Sequence, residues 1–335
     1  MKRALQAVGI VAVTVFFLWL FLKNANLHDV GRIIRQAHPG WLALALVINS
    51  GALVFRTIRW RTILGPENPT PFYPAFFANA VGYMLSTVLP IRAADVARPA
   101  LLSRRTETRF SNALGTVLTE RILDLVSLLS LFTYFVLRRW REFHENPATA
   151  KAWDYVVRPA AIASAATLAA LFLFMIGLYF RRATVRRLHE WIGKIVPRRF
   201  RSAWMNFFDA FAQSLELVEK PSALILVLLS TAGVWFCLTA QFTCTTFALN
   251  MRLPFDASFF VTAATTLGLA VPTPGGIGGM HKVCQYVLTA FYAVSVDMSV
   301  AAAVLFHLVG SLPVVVIGVA LFIAEGLHWR DLPHA

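Results

Sequence analysis

Phe259-Phe260, followed at Ala270 by Ala270-Val271-Pro272-Thr273-Pro274-Gly275-Gly276-Ile277-Gly278-Gly279, is the stretch whose reading decides the fold. It has a partner earlier in the chain, Phe76-Phe77 followed by Val88-Leu89-Pro90-Ile91-Arg92-Ala93-Ala94-Asp95. In both, a Phe pair opens an apolar run that ends on an aliphatic residue, then Pro, then a polar or Gly-rich break. Backbone broken at membrane depth leaves polar groups without water, so it persists only where it lines a protein-enclosed or watery cavity. Matching interrupted segments in the two halves of a membrane protein are the sequence mark of a transport site.

The rest of the composition agrees with a membrane setting. The chain has 335 residues, 58% of them hydrophobic and 14% charged, with a mean hydropathy of +0.63. Several apolar runs are long enough for a spanning helix. Full spans are read at 4–22, 41–58, 110–137, 159–180, 222–249 and 299–323, with the broken segments at 72–103 and 256–296. The fold class expected is therefore an all-α polytopic membrane protein. The net charge of +14 comes from basic residues at membrane borders, a pattern of topology signals rather than a nucleic-acid arm. Cys237, Cys244 and Cys284 all lie in apolar runs, and His281 with Cys284 makes at most two ligands, so no metal site or cofactor is expected.

Charge chooses the topology. Residues 181–201 carry eight Arg and Lys against the single acid Glu190, which places them in the cytoplasm. Both they and the basic N-terminus face inward only if the first broken segment enters and leaves on one side. That arrangement puts 17 Lys and Arg inside and 9 outside, with Arg56, Arg92, Arg98, Arg121 and Lys282 at membrane depth. Repeat 1 (41–137, hairpin 72–103) and repeat 2 (222–323, hairpin 256–296) then form an inverted pair within a single membrane domain. A basic and amphipathic linker, 181–220, joins them, with Trp204, Phe207, Phe208 and Phe211 on one face. A second amphipathic helix is read at Leu27, Val30, Ile33 and Ile34.

Glu120, Arg121 and Asp124 fall near the middle of an apolar helix, where charge is costly and faces inward. Glu120 and Asp124 share a face and Arg121 reaches Asp124 at i+3. An ion-pair network to Arg92, Arg98 or Asp95 and a headgroup or proton site are both compatible with them. Arg92, Asp95 and Arg98 form a stripe after the first break. A guanidinium matches phosphate geometry, which makes Arg92 and Arg98 candidates for a lipid phosphate. Pro272, Pro274, Gly275, Gly276, Gly278 and Gly279 let backbone amides approach a ligand, and the helix that follows offers its N-terminus to an anion. His281, Lys282 and His307 are the polar residues nearby, His307 serving equally well as a helix link. Arg56, Arg59 and Trp60 close the second helix, and for Arg59, Trp60 and Arg61 an anchor at the inner interface is a sufficient reading.

Taken in order, RTIRW, LPIRAADVAR, TERILDL and PTPGGIGG resemble the flippase-like transmembrane domain of the lysylphosphatidylglycerol synthase/flippase family, over essentially the whole chain. The resemblance implies a stand-alone member, without the C-terminal synthase domain of the bifunctional relatives. It implies movement of an anionic or aminoacylated phospholipid or isoprenoid lipid between leaflets of the bacterial cytoplasmic membrane, with both termini cytoplasmic. The chain departs from the family pattern at Ala94, where Gly commonly precedes the Asp, and at His281, where an acidic residue commonly follows the Gly-rich turn.

Expected partners are membrane lipids with anionic headgroups and no nucleic acid. A second copy of the chain and a separate lipid-modifying enzyme are compatible with that reading. An integral-membrane enzyme acting on a lipid phosphate and an accessory envelope-assembly protein are the alternatives. No acid/base spacing in the outer loop 138–158 favours catalysis, so the chain is not expected to be an enzyme. No GxxxxGK[ST] motif is present, so transport would be facilitated or ion-coupled.

Overall fold

The computed structural model describes residues 2–65, 69–88, 94–180, 201–202, 204–207, 209, 211, 220–269 and 273–326. Pro90, Arg92 and Pro272 fall outside the described residues, as does most of the 181–220 linker. Every regular element among the described residues is helical. They are α1 Lys2–Leu22, α2 Leu27–Gln36, α3 Pro39–Leu64, α4 Phe72–Val88, α5 Ala94–Ser103, α6 Phe110–Glu145, α7 Ala150–Ala152, a π turn Trp153–Val157 and α8 Arg158–Phe180. After the linker come α9 Pro221–Ala248, α10 Phe255–Gly268, a 3₁₀ turn Pro274–Gly276, α11 Gly279–Tyr292 and α12 Val296–Ala324. The amphipathic segment near Leu27 forms α2, capped by Asn26, whose side chain accepts the His28 N–H.

Among the described residues four helices are long and apolar enough to cross a membrane: Pro39–Leu64, Ala150–Leu173, Pro221–Ala248 and Val296–Ala324. Six spans are expected from the sequence. Of the other two, α1 belongs to an apolar run that extends in the sequence from Ala4 to Leu22. In α6, 36 residues long, Glu120, Arg121 and Asp124 interrupt the apolar run. Those charges are turned inward, as membrane depth requires.

The centre of the bundle is an antiparallel pair, α3 against α9. His38 N–H donates to Ala248 O at 2.8 Å, and Trp41 meets Phe247 with ring centroids 5.0 Å apart. A Cβ at Gly233 would lie 2.6 Å from the Phe55 ring, so glycine allows the two helices their close approach.

On each side of this pair, two helices fold back on each other. In the first unit Ala94 N–H donates to Ser86 Oγ at 2.5 Å, and Arg98 reaches Tyr83. The open ends, Tyr73 of α4 and Arg105 just after α5, both bind the carboxylate of Glu325. In the second unit Phe260 of α10 packs on Phe291 of α11. Its open ends lie along one stretch of α6: Asp256 on Arg139, and Phe291 and Tyr292 on Phe143. A single side chain or helical turn thus touches both ends of each hairpin.

The two hairpins open at opposite ends of the bundle. Asn26 N–H donates to Asp297 at the start of α12, whereas Glu325 follows that helix's other end, ~43 Å away for its 29 residues. Each hairpin packs on the closing helix of the other unit. A Cβ at Gly318 of α12 would lie 2.8 Å from Ala80 O of α4. Phe260 of α10 stacks on Phe135 of α6 at 4.2 Å. The tips meet inside the bundle: a Cβ at Gly275 (φ +58°) would lie 3.0 Å from Thr87 O, one residue before the end of α4.

Candidate functional site

Below the hairpin tips the first unit carries a cluster of charges on three helices, α3, α5 and α6. Arg59 of α3 is its hub. Its guanidinium donates to Glu120 Oε1 at 2.7 Å and to Asp124 Oδ1 at 2.6 Å. The other oxygen of Glu120 accepts from Arg98 of α5 at 2.8 Å. Arg121 bridges Asp95 of α5 at 3.0 Å and Asp124 of its own helix at 3.3 Å. Local geometry makes this possible. On α6, positions 120 and 124 lie one turn apart and face α3 together, while 121 turns toward α5. The stem of Arg98 crosses α4 at Gly82, where a Cβ would come within 2.4 Å of its Cγ. Trp60 lies under the Arg98 guanidinium, 4.5 Å from carbon to ring centroid. The indole donates to Thr116 Oγ1 at 3.0 Å.

Three guanidinium groups face three carboxylates, so the cluster is internally neutral. Burial within it is graded. The side chains of Arg59, Arg98 and Glu120 are 0% exposed, while Asp95, Asp124 and Arg121 keep 30%, 26% and 36%. A buried charge is tolerated when paired and hydrogen-bonded, and the inner three meet that condition. The outer three form a part-exposed rim.

Tyr83 stands on this rim. Its Oη accepts from Arg98 at 3.1 Å and from Arg121 at 3.3 Å. A phenol that accepts two hydrogen bonds still has its own O–H to donate. Arg56, one turn before Arg59's neighbourhood on α3, lies over the Tyr83 ring at 4.6 Å. No carboxylate among the described residues lies within ion-pair distance of Arg56. Among the described residues, Arg56 is thus a cation of this rim with no carboxylate partner, beside a hydroxyl that still has a proton to donate.

The second unit places neutral groups where the first has charges. Gln241 of α9 donates to Phe306 O at 2.9 Å, as Arg59 of α3 donates to Glu120. Phe306-His307 sit as far from the start of α12 as Glu120-Arg121 from the start of α6. His281, in the first turn of α11, meets His307 with ring centroids 4.8 Å apart, as Asp95, in the first turn of α5, meets Arg121. Lys282 turns back onto its own helix and donates to Gln285 Oε1 at 2.6 Å. Gln285 in turn donates to Phe21 O of α1 at 3.0 Å.

Several sequence expectations are corrected by this geometry. Arg59 and Trp60 are fully buried, so they hold the core together and do not anchor the chain at an interface. The signal was ambiguous because RTIRW at a helix end reads as a basic-aromatic border. Only the arrival of Glu120 from a helix far along the chain shows where Arg59 points. Arg98 pairs with Glu120 and is fully buried, so its guanidinium is not presented at the rim. Asp95 neutralises Arg121 rather than its stripe-mate Arg98.

In the glycine turn, Gly278 N–H donates to His281 Nδ1 at 3.4 Å, so this amide is not presented to an outside anion. Gly275, Gly276 and Gly278 all take positive φ, where a side chain would be strained. A Cβ at Gly276 would also meet Leu269, and one at Gly278 would meet Phe17 of α1. Gly279 and the backbone of Pro274 lie in the same turn and helix start. The tyrosine Tyr83 had no sequence signal at all, since a lone Tyr in an apolar run carries none.

Comparison with known proteins places the whole bundle in context. A family described as the lysylphosphatidylglycerol synthase TM region matches residues 6–318. A UPF0104 membrane protein of Methanocaldococcus jannaschii is 27% identical over 244 residues, covering 71% of this chain and 92% of that protein. Two UPF0104 membrane proteins of Methanothermobacter thermautotrophicus are 26% and 28% identical over 137 and 123 residues. These matches cover 39% and 36% of this chain, and 37% and 34% of those proteins.

Proposed function

The chain belongs to the family of the lysylphosphatidylglycerol synthase transmembrane region, and from that premise we propose that it moves an anionic lipid headgroup between membrane leaflets. On this reading the two hairpins are re-entrant, each entering and leaving the membrane on one side. The units 41–137 and 222–323 form an inverted repeat about the α3–α9 pair. The basic linker and both termini lie on the cytoplasmic side of a cytoplasmic membrane, toward which the first hairpin opens. The activity is transport rather than a reaction, carried by the single chain or by copies of it.

The observation that carries the reading is Arg56 on the rim of an otherwise neutral charge cluster. A headgroup phosphate entering an apolar core loses its hydration, at a cost that only a fixed cation or donor at that depth offsets. Arg56 and the free O–H of Tyr83 supply both, and Arg121 lies at the same rim. The buried part of the cluster holds α3, α5 and α6 in place, which fixes these groups in orientation before a lipid arrives. The meeting of the hairpin tips at Thr87 and Gly275 provides a central point from which either end of the bundle can be reached. Lipid acyl chains remain outside, along the exposed apolar faces of α3 and α9, where Val47, Val54, Ile225 and Leu229 point away from the protein.

Reconstitution into liposomes tests this. Leaflet exchange of fluorescent phosphatidylglycerol is compared for the native protein, Arg56→Gln and Arg56→Lys. Arg56→Gln is expected to slow exchange at least ~10-fold with no change in melting temperature, since it removes a charge that no carboxylate partners. Exchange no faster than in protein-free vesicles, for phosphatidylglycerol, aminoacylated and isoprenoid lipids alike, would overturn lipid translocation. Exchange unaffected by Arg56→Gln would move the site elsewhere.

A further inference from the structure

The second unit answers the ion pair Asp95–Arg121 with an imidazole pair, and imidazole is the side chain whose charge changes nearest neutral pH. From this geometry we infer that His281 and His307 form a proton-binding site that latches and unlatches the glycine turn at the tip of the second hairpin.

The latch is the bond from Gly278 N–H to His281 Nδ1, 3.4 Å long and buried. Nδ1 accepts only in the neutral ring with its proton on Nε2. Protonation places a second N–H against Gly278 N–H, so the bond is lost and replaced by repulsion. The turn it holds depends on glycine. Gly278 has φ +97° and packs where a Cβ would be 2.8 Å from Phe17 Cβ, and Gly275 abuts Thr87 O of the first hairpin. Loss of the latch frees the backbone that touches both α1 and the opposite hairpin tip.

The pair lies where α1, α11 and α12 meet. His281 is buried, with Phe21 of α1 edge-on at 5.2 Å. His307 is half-buried and gives a proton its way in. The other charged or titratable groups of the packed elements are few. Lys23 follows α1, and Lys282 on α11 is tied to Gln285. Cys284, Tyr286 and Tyr292 share α11. Asp256 on α10 is held by Arg139, and Asp297 on α12 accepts from Asn26. No carboxylate among the described residues forms an ion pair with either ring. A proton taken up here is therefore not neutralised by a described carboxylate, and it adds positive charge beside that of Lys282. Coupling of that proton to an anionic headgroup rests on the transport reading above. The latch itself does not.

Hydrogen exchange reads the latch directly, because the bonded amide is Gly278 itself. The full-length protein in lipid nanodiscs, without added substrate, is followed between pH 8 and pH 4, each rate corrected for the chemical exchange rate at that pH. Protection of the peptide spanning 273–282 is expected to fall about tenfold per pH unit once the pair takes up its proton, while 118–130 stays constant. His281→Gln should abolish the dependence, and His307→Gln should displace it along the pH axis. Should either variant fail to fold, imidazole ¹⁵N shifts in the native protein give the same answer, since the His281 ring must take up its proton over the pH range in which protection of 273–282 falls. Constant protection of 273–282 in the native protein overturns the proposal, as does a pH dependence unchanged in His281→Gln. A latch that responds to pH in a protein that moves no lipid would leave the proton site standing and remove only its use in transport.

Discussion

The two units share one architecture and differ in what fills it. In each, a helix from the central pair reaches into the start of the closing helix, and the return arm of a hairpin docks beside it. In the first unit the reaching group is Arg59 and the docking pair is Asp95–Arg121. In the second the reaching group is Gln241 and the pair is His281–His307. The same joint is thus made once with permanent charges and once with neutral groups. The lesson is about cost. Permanent charges at this depth must be matched one for one, which makes the first joint rigid and intolerant of change. Neutral polar groups need fewer partners, which leaves the second joint free to respond.

Swapping the reaching group is the sharpest way to break the comparison. Arg59→Met leaves Glu120 and Asp124 short of a cation in a dry interior and is expected to cost ~3–5 kcal/mol. Gln241→Met removes one bond to a carbonyl and is expected to cost about 1 kcal/mol. Equilibrium unfolding of both variants in the same detergent measures the ratio. Equal losses would mean that the charge cluster contributes no more than ordinary packing.

A smaller effect is expected where the hairpins lean on the opposite closing helices. Gly318→Val places new atoms against Ala80 O and Met84 of α4, and overpacking of this kind costs ~1–3 kcal/mol. The loss should appear as a lower melting temperature with the α3–α9 pair still protected from hydrogen exchange. Uniform loss of protection would show that the units do not pack as separable parts.

The smallest effect concerns the clasp at the open end of the first hairpin. Hydrogen bonds from Arg105 and then Tyr73 hold the Glu325 carboxyl below its ordinary range. A carboxylate depressed in the folded state stabilises above its unfolded pKa and loses that contribution as pH falls through the folded value. Melting temperature should therefore drop slightly from about pH 5 downward, and less so in Glu325→Gln. The group is exposed, so the shift is small. An identical pH profile in the variant would remove Glu325 as a clasp.

Much of this is legible in the sequence. The two Pro-containing breaks, the buried helix with Glu120, Arg121 and Asp124, and the glycine turn leading into α11 all follow from local rules. Apolar runs of spanning length give helices, Pro and Gly interrupt them, and charge at depth must turn inward. Pairing was legible only in part: a network joining Glu120, Arg121 and Asp124 to Arg98 or Asp95 is one of the two readings of the sequence, and the structure holds pairs to both. Arg98 looked available because its neighbour Asp95 is three residues away, yet its carboxylate comes from Glu120 on α6. Arg59 looked peripheral because Trp60 and Arg61 follow it. Tyr83 acquires its role only because Arg98 and Arg121 converge on it from two other helices.

The sequence by itself determined that the chain is a membrane bundle of helices with two interrupted segments and costly charges, because solvation in lipid acts on each segment separately. Which charge meets which, that Arg56 meets no carboxylate among the described residues, and that two histidines face each other across the second unit were decided by tertiary structure. The physical reason is reach. An ion pair or an imidazole contact forms over a few ångströms, and only the folding together of α3, α5 and α6, and of α1, α11 and α12, brings those groups within it.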